Sequence, residues 1–183
     1  MKMIKDNNSL KLFLSLNSLV SNNLVDYSEE STEKNNQSRF IYFKDKKLNQ
    51  NERAGILIGK KSKFSGQIQI KITHVIEDSN PNFSSPYSVE RITNHIYTQM
   101  EKIKKEHPDL DYIGEWHTHP NGLKQGSFLD HLSMFEMIEN PAFGNIFWVI
   151  LLIFIPKSFP IGYYYDKNNV ISIPVKIQIE NEV

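Results

Sequence analysis

The sequence contains no cysteine, which removes disulfides, thiolate metal sites and a cysteine nucleophile together and fits a reducing cytosol. It also carries no excess charge. Its 21 basic residues balance 21 acidic ones, so no long-range field draws the chain to nucleic acid or to an anionic membrane, and recognition must be local. Nor is there a long hydrophobic run. The most apolar stretch, Ile146 to Ile155, is about half the ~20 residues that a helix needs to cross a bilayer, and it reads as a buried strand. Met1 to Val20 imitates a secretion signal, but Ser15, Asn17 and Ser18 interrupt its apolar patch and no small-residue cleavage site follows. The expectation is a cytoplasmic protein with neither nucleic acid nor membrane among its partners.

What remains is oxygen and nitrogen chemistry on a chain of 183 residues, enough for one domain that buries roughly two-thirds of its unfolded surface. Leu10, Leu12, Leu14 and Leu16 recur with period two, as in a strand with one apolar face, although a short helix fits as well. Residues 21 to 38 are rich in Ser, Asn, Glu and Lys and read as a solvated linker. This divides the chain into an N-terminal extension, residues 1–39, and a main domain, residues 40–183. Phe40 to Phe43, Ala54 to Ile58 and the alternating Ile68, Ile70 and Ile72 read as strands. A loop follows from Asp78 to Pro86, and helical spacing of Val89, Ile92, Ile96 and Ile103 predicts a helix from Ser88 to Lys105. Tyr112 to His119 reads as a strand, Ser127 to Ile138 as a helix, and Ile146 to Ile155, Ile161 to Tyr165 and Val170 to Ile179 as strands. The fold class is α/β of the mixed α+β kind, a central mixed sheet flanked by two main helices.

The chemistry concentrates in Gly114-Glu115-Trp116-His117-Thr118-His119-Pro120. Alternate residues of a strand project from one face, so the imidazoles of His117 and His119 can reach one ion. Pro120 cannot donate a ladder hydrogen bond and tends to leave the pair at a strand end, where a coordination position stays open. Catalytic zinc usually takes three protein ligands and a water, and Asp130 is the natural third. A blander reading stands beside it: Ser127 and Asp130 also suit a helix N-terminus, the serine as cap and the aspartate in the positive first turn. Glu52, before a strand, is by default a solvated charge.

The spacing from His117-Thr118-His119-Pro120 to Ser127-Phe128-Leu129-Asp130, with Glu52-Arg53-Ala54-Gly55-Ile56-Leu57-Ile58-Gly59 upstream, resembles the signature of the JAMM metalloproteases, also called the MPN-plus or JAB family. The resemblance runs from about Glu52 to Ile155. It implies the JAB/MPN, cytidine-deaminase-like architecture, and a Zn2+ ion held by His117, His119 and Asp130 with water as fourth ligand. It further implies Glu52 as the general base and Ser127 as a donor to the oxyanion. The stretch Tyr112 to Gly122 is similar to stand-alone prokaryotic JAB proteins of mobile elements and antiviral operons. That similarity implies a peptidase that cuts peptide or isopeptide bonds after the tail of a ubiquitin-like modifier, with proteins of a conjugating system as further partners. Alternatives at this stage are a catalytically silent scaffold and a zinc hydrolase of small amides or sulfur-carrier adducts.

Around this centre, alternation places Trp116 on the face opposite His117, against a helix, and Glu115 on the ligand side. His131 is expected on the exposed side of its helix, and His74, His95 and His107 on the surface. An extended substrate tail is expected to add as a strand beside the catalytic sheet, with Asp78 to Pro86 flanking it.

Overall fold

The computed structural model describes residues 10–15, 26–30, 38–42, 52–64, 67–77, 94–155, 158, 160–173 and 175–178. In chain order the strands are β1 (Leu10–Ser15), β2 (Asp26–Glu30), β3 (Ser38–Tyr42), β4 (Ala54–Phe64) and β5 (Gln67–Glu77). Helix α1 (Asn94–Glu106), β6 (Asp111–Thr118) and helix α2 (Phe128–Glu139) follow. A short 3-10 turn at Pro141–Phe143 then leads to β7 (Trp148–Phe154), β8 (Ile161–Asp166), β9 (Asn169–Ile173) and β10 (Val175–Gln178). The mixed sheet and its two helices agree with the expected fold class. The N-terminal part of the predicted first helix, before Asn94, and the loop from Asp78 to Pro86 lie outside the described residues.

Eight strands form one sheet in the order β10-β1-β5-β4-β6-β7-β8-β9. The last two strands stand at opposite edges yet are separated along the chain only by residue 174, so the sheet curls until its edges approach, with β1 lying against β9. The single strand expected from Val170 to Ile179 is therefore two strands with a change of partner between them. The leucine-rich β1 enters the same sheet, parallel to β5 and to β10. Within the stretch that composition describes as a linker, β2 pairs antiparallel with β3. Main-chain hydrogen bonds carry such pairing, and polar composition does not register them.

The two faces of the curled sheet have different coverings. A cross-strand row of Ile76, Ile56, Glu115, Leu151 and Tyr163 marks the outer face. Ile96, Met100 and Ile103 of α1 pack there against Ile56, Ile58 and Ile76, and Met134, Met137 and Ile138 of α2 against Val149, Leu151 and Ile153. Each side chain fully buried in this way contributes about 1.5–3 kcal/mol. The inner face is filled by the sheet's own residues, Leu57, Ile70, Ile72, Val75, Trp116, Ile150, Leu152 and Phe154. Trp116 does lie opposite His117, but among the described residues no helix packs against it: curling of the sheet makes that face an interior, where Trp116 meets Phe154 edge-on at 5.7 Å and donates from Nε1 to the Ile76 carbonyl at 3.0 Å.

Two bulges set which residues share the outer face. The β4–β6 register jumps from Leu57↔Gly114 to Ile58↔Tyr112, leaving Ile113 unpaired, so Tyr112 and Glu115, three apart, both face the helices. The two glycines of the Glu-x-x-Gly-x-Leu-x-Gly pattern mark close approaches in β4. A Cβ on Gly55 would stand 1.8 Å from the Ile76 carbonyl oxygen and 2.7 Å from Trp116 Nε1, and one on Gly59 would stand 2.0 Å from the Lys71 carbonyl oxygen. Gly55→Ala is therefore expected to lower the unfolding free energy by about 3 kcal/mol or more. Urea unfolding measures it, and a midpoint equal to that of the unmodified chain would contradict the close approach.

Candidate metal centre

The histidine pair stands at the end of the central strand. β6 is hydrogen-bonded antiparallel to β4 on one side and parallel to β7 on the other, with Ala54↔His117 and His117↔Ile153 in register. His119, one residue past the strand, still donates its main-chain N–H to the Phe154 carbonyl at 2.9 Å. Both imidazoles are buried, with side chains 2% and 4% exposed, and their Nε2 atoms lie 3.0 Å apart.

A tight turn sets the protonation of His119. Gly122, at φ 79°, holds a left-handed conformation that favours glycine. Its N–H donates to the His119 carbonyl at 3.0 Å, and Asn121 Oδ1 accepts from Leu123 N–H at 3.0 Å. The chain thus folds back and puts the Leu123 carbonyl 2.9 Å from His119 Nδ1. A carbonyl only accepts, so Nδ1 carries the proton and the Nε2 lone pair of the neutral ring faces the site.

Asp130 arrives on α2. Ser127 is the N-cap: its Oγ accepts from Asp130 N–H at 3.1 Å, and Asp130 Oδ2 accepts from Ser127 N–H at 2.6 Å. Position N3 points the carboxylate at the sheet, with Oδ1 3.5 Å from His117 Nε2 and Oδ2 3.7 Å from His119 Nε2. One geometry thus makes Asp130 part of the capping box and turns its carboxylate toward both imidazoles. The ligand atoms of a tetrahedral zinc site with bonds of about 2.0–2.1 Å stand about 3.3 Å apart, and the three separations bracket that value. His117, His119 and Asp130 could hold a metal ion.

Glu52 stands beside this group. The pairing of β4 with β6 extends one residue beyond the strand: Arg53 N–H donates to Thr118 Oγ1 and Thr118 N–H to the Arg53 carbonyl, both at 2.9 Å. Arg53 is further held by a bidentate ion pair with Glu77. Continuing the antiparallel register sets the half-buried Glu52 across from His119 on the outer face. Neither the Arg53–Glu77 pair nor the Leu123 carbonyl was legible in the sequence; the Asn121-Gly122 dipeptide, a turn signal, was the available hint.

Charge follows from this packing. Burial raises the Asp130 carboxyl, but hydrogen bonds from His117 and His119, the His117 charge and the Ser127 N–H outweigh it and hold the group well below the usual carboxylate range. Burial lowers His119, but Asp130, the Leu123 carbonyl and the Glu52 charge together leave it raised. His131 and His74 depart from the exposure expected of them, and His107 agrees with it. His131 is half-buried, because one step round α2 from Asp130 turns it toward β8, where its Nδ1 lies 2.7 Å from Tyr165 Oη. His74 is half-buried 6.0 Å from the His107 ring, His107 is exposed, and the His95 side chain lies outside the described residues.

A family model described as prokaryotic homologs of the JAB domain matches residues 35–160, wider at both ends than the motifs alone. No curated protein matches the chain. Among solved structures, the solution structure of protein DSY2949 from Desulfitobacterium hafniense is similar to it with a TM-score of 0.54 and 14% identity. That match covers 93% of this chain and 95% of the other, and at such identity it speaks for the fold alone. No described helix is long and apolar enough to cross a membrane.

Two measurements test the centre. Asp130→Ala is expected to weaken zinc binding at least about 100-fold and, through the lost capping box, to cost about 1 kcal/mol of stability in the metal-free protein. Ser127→Ala should show only the second effect in full; equal zinc affinity in the chain and Asp130→Ala would exclude Asp130 as a ligand. Metal binding competes with protonation of His119, whose folded pKa lies above the ordinary imidazole value. Zinc affinity should therefore begin to fall while pH is still above about 6.5, and titration calorimetry finding it constant down to pH 5.5 would contradict this.

Proposed function

This chain belongs to the family of prokaryotic homologs of the JAB domain, and on that premise we propose that it is a zinc-dependent metallopeptidase. The single observation that supports the reading most is the convergence of His117, His119 and Asp130 within 4.8 Å of one another, beside Ser127 and next to Glu52. A scaffold protein needs no such group of buried imidazoles around a carboxylate.

When bound, zinc supplies Lewis-acid polarisation and makes water acidic enough to ionise near neutral pH. The chain's own residues do the rest. Glu52 takes a proton from the attacking water and returns it to the amine nitrogen as the C–N bond breaks, general acid–base catalysis that contributes about 100-fold or more. The Ser127 hydroxyl oxygen is fixed by accepting from Asp130 N–H, which leaves its proton to donate to the carbonyl oxygen as negative charge develops there. The Leu123 carbonyl keeps His119 in the tautomer that binds metal.

The substrate we propose is a peptide or isopeptide bond that follows the extended tail of a ubiquitin-like modifier, in a bacterial conjugation system of the antiviral kind. Two features constrain its approach. Residues 121–126 form a short segment next to the metal group, largely exposed, so a slender tail reaches it more readily than a folded surface. Both flanks of β6 are already paired, with β4 and β7, so a tail cannot add as a strand to β6 itself. The flanking role expected of Asp78 to Pro86 falls outside the described residues.

The zinc-loaded chain should cleave a bacterial ubiquitin-like protein that carries a C-terminal fusion, after the ubiquitin-like protein's last residue. Glu52→Gln should retain zinc while losing at least about 100-fold in rate. Mass spectrometry of the products reads both. Zinc bound stoichiometrically with no cleavage of any fusion or conjugate, or a Glu52→Gln rate equal to that of the unmodified chain, would refute the peptidase.

A further inference from the structure

The metal group is assembled from two bodies. His117 and His119 belong to the sheet, and Asp130 and Ser127 to the start of α2. The chain between them, residues 120–126, is stapled at two points. The first is the Leu123 carbonyl on His119. The second lies on the outer face of β8, where Tyr163 Oη accepts the Gly126 N–H at 3.1 Å. Only Lys124 and Gln125, both exposed, separate the staples.

The second staple is packed as well as hydrogen-bonded. A Cβ on Gly126 would meet His131 Cε1 and Nε2 at 3.1 Å and Tyr163 Cε2 at 3.4 Å. The His131 ring meets Tyr163 edge-on at 5.1 Å and is fixed by Tyr165 Oη at 2.7 Å. Tyr163 is 7% exposed and Tyr165 fully buried. Tyr163 pairs across the sheet with Leu151, and Leu151 with Glu115, two residues before His117. The tyrosines therefore stand on the same frame as the histidines, while Gly126 and His131 directly adjoin Ser127 and Asp130.

We propose that Tyr163, with His131 and Tyr165, is a positioning clamp of the metal centre, which fixes Gly126 and the first turn of α2 so that Asp130 and Ser127 meet His117 and His119 in register. The clamp touches neither metal nor substrate. It acts through Asp130 and Ser127, and it rests on the metal-site part of the proposed function but not on the choice of substrate.

Tyr163→Phe removes one oxygen and leaves the ring. Zinc affinity by chelator competition, the visible bands of the cobalt-loaded protein and the unfolding midpoint of the metal-free protein are the readouts. Zinc affinity is expected to fall roughly tenfold and the cobalt bands to move, with the metal-free midpoint little changed. Tyr165→Phe should act in the same direction and keeps the test available if Tyr163→Phe does not fold. Tyr164→Phe is the control: its hydroxyl lies on the inner face against Lys61 Nζ at 3.1 Å, and both metal readouts should stay as in the unmodified chain. Unchanged affinity and bands in Tyr163→Phe and Tyr165→Phe, or an equal loss in Tyr164→Phe, would overturn the clamp and leave the metal site standing. Failure of the unmodified chain to bind zinc or cobalt would overturn the metal site and the clamp together.

Discussion

The carboxylate of Asp130 answers two demands with one orientation. The first turn of α2 requires an acceptor for the Ser127 N–H, and the two imidazoles at the end of β6 turn their Nε2 atoms to within 3.5 and 3.7 Å of the same carboxylate. The capping box meets the first demand and, by fixing the side chain at N3, also meets the second. An isolated capping box contributes about 1 kcal/mol. Here it does more, because it locks the rotamer of a carboxylate that is otherwise opposed by burial. The helix N-terminus and the strand end are thus not two structures that happen to meet but a single electrostatic unit.

That unit rests on a densely packed frame. The inner face of the sheet supplies it, with Trp116 tied to the Ile76 carbonyl across β4 at the level of Gly55. Neighbouring Arg53 is hydrogen-bonded twice to Thr118, between the two histidines. The same constraint that demands glycine at 55 therefore sets Glu52 beside the metal group. Three residues of strand register connect a packing requirement at Gly55 to the placement of Glu52.

Much of this was legible in the sequence. The period-two spacing of His117 and His119, the proline that ends the strand and the Ser-x-x-Asp that opens a helix are local patterns, and local patterns survive in one dimension. What escaped the reading is non-local. Curling of the sheet makes the inner face an interior, so Trp116 meets Phe154 there. The bulge at Ile113 shifts Tyr112 onto the helix-bearing face. His131 looked exposed because nothing in α2 alone shows Tyr163 and Tyr165 waiting on β8. The polar stretch that includes Asp26–Glu30 carries a strand paired with β3, and main-chain pairing is something side-chain composition does not record. The Leu123 carbonyl is a main-chain atom and has no residue type to read.

The central claim is that His117, His119 and Asp130 bind one zinc ion in a shell of nitrogen and oxygen only. Zinc K-edge X-ray absorption of the loaded protein tests it most directly. The expected spectrum shows four-coordinate zinc with ligands at about 2.0–2.1 Å and outer-shell scattering from two imidazoles. Loss of one imidazole is expected in His119→Ala. A zinc shell with one imidazole or none in the unmodified chain, or a spectrum that His119→Ala leaves unchanged, would contradict it.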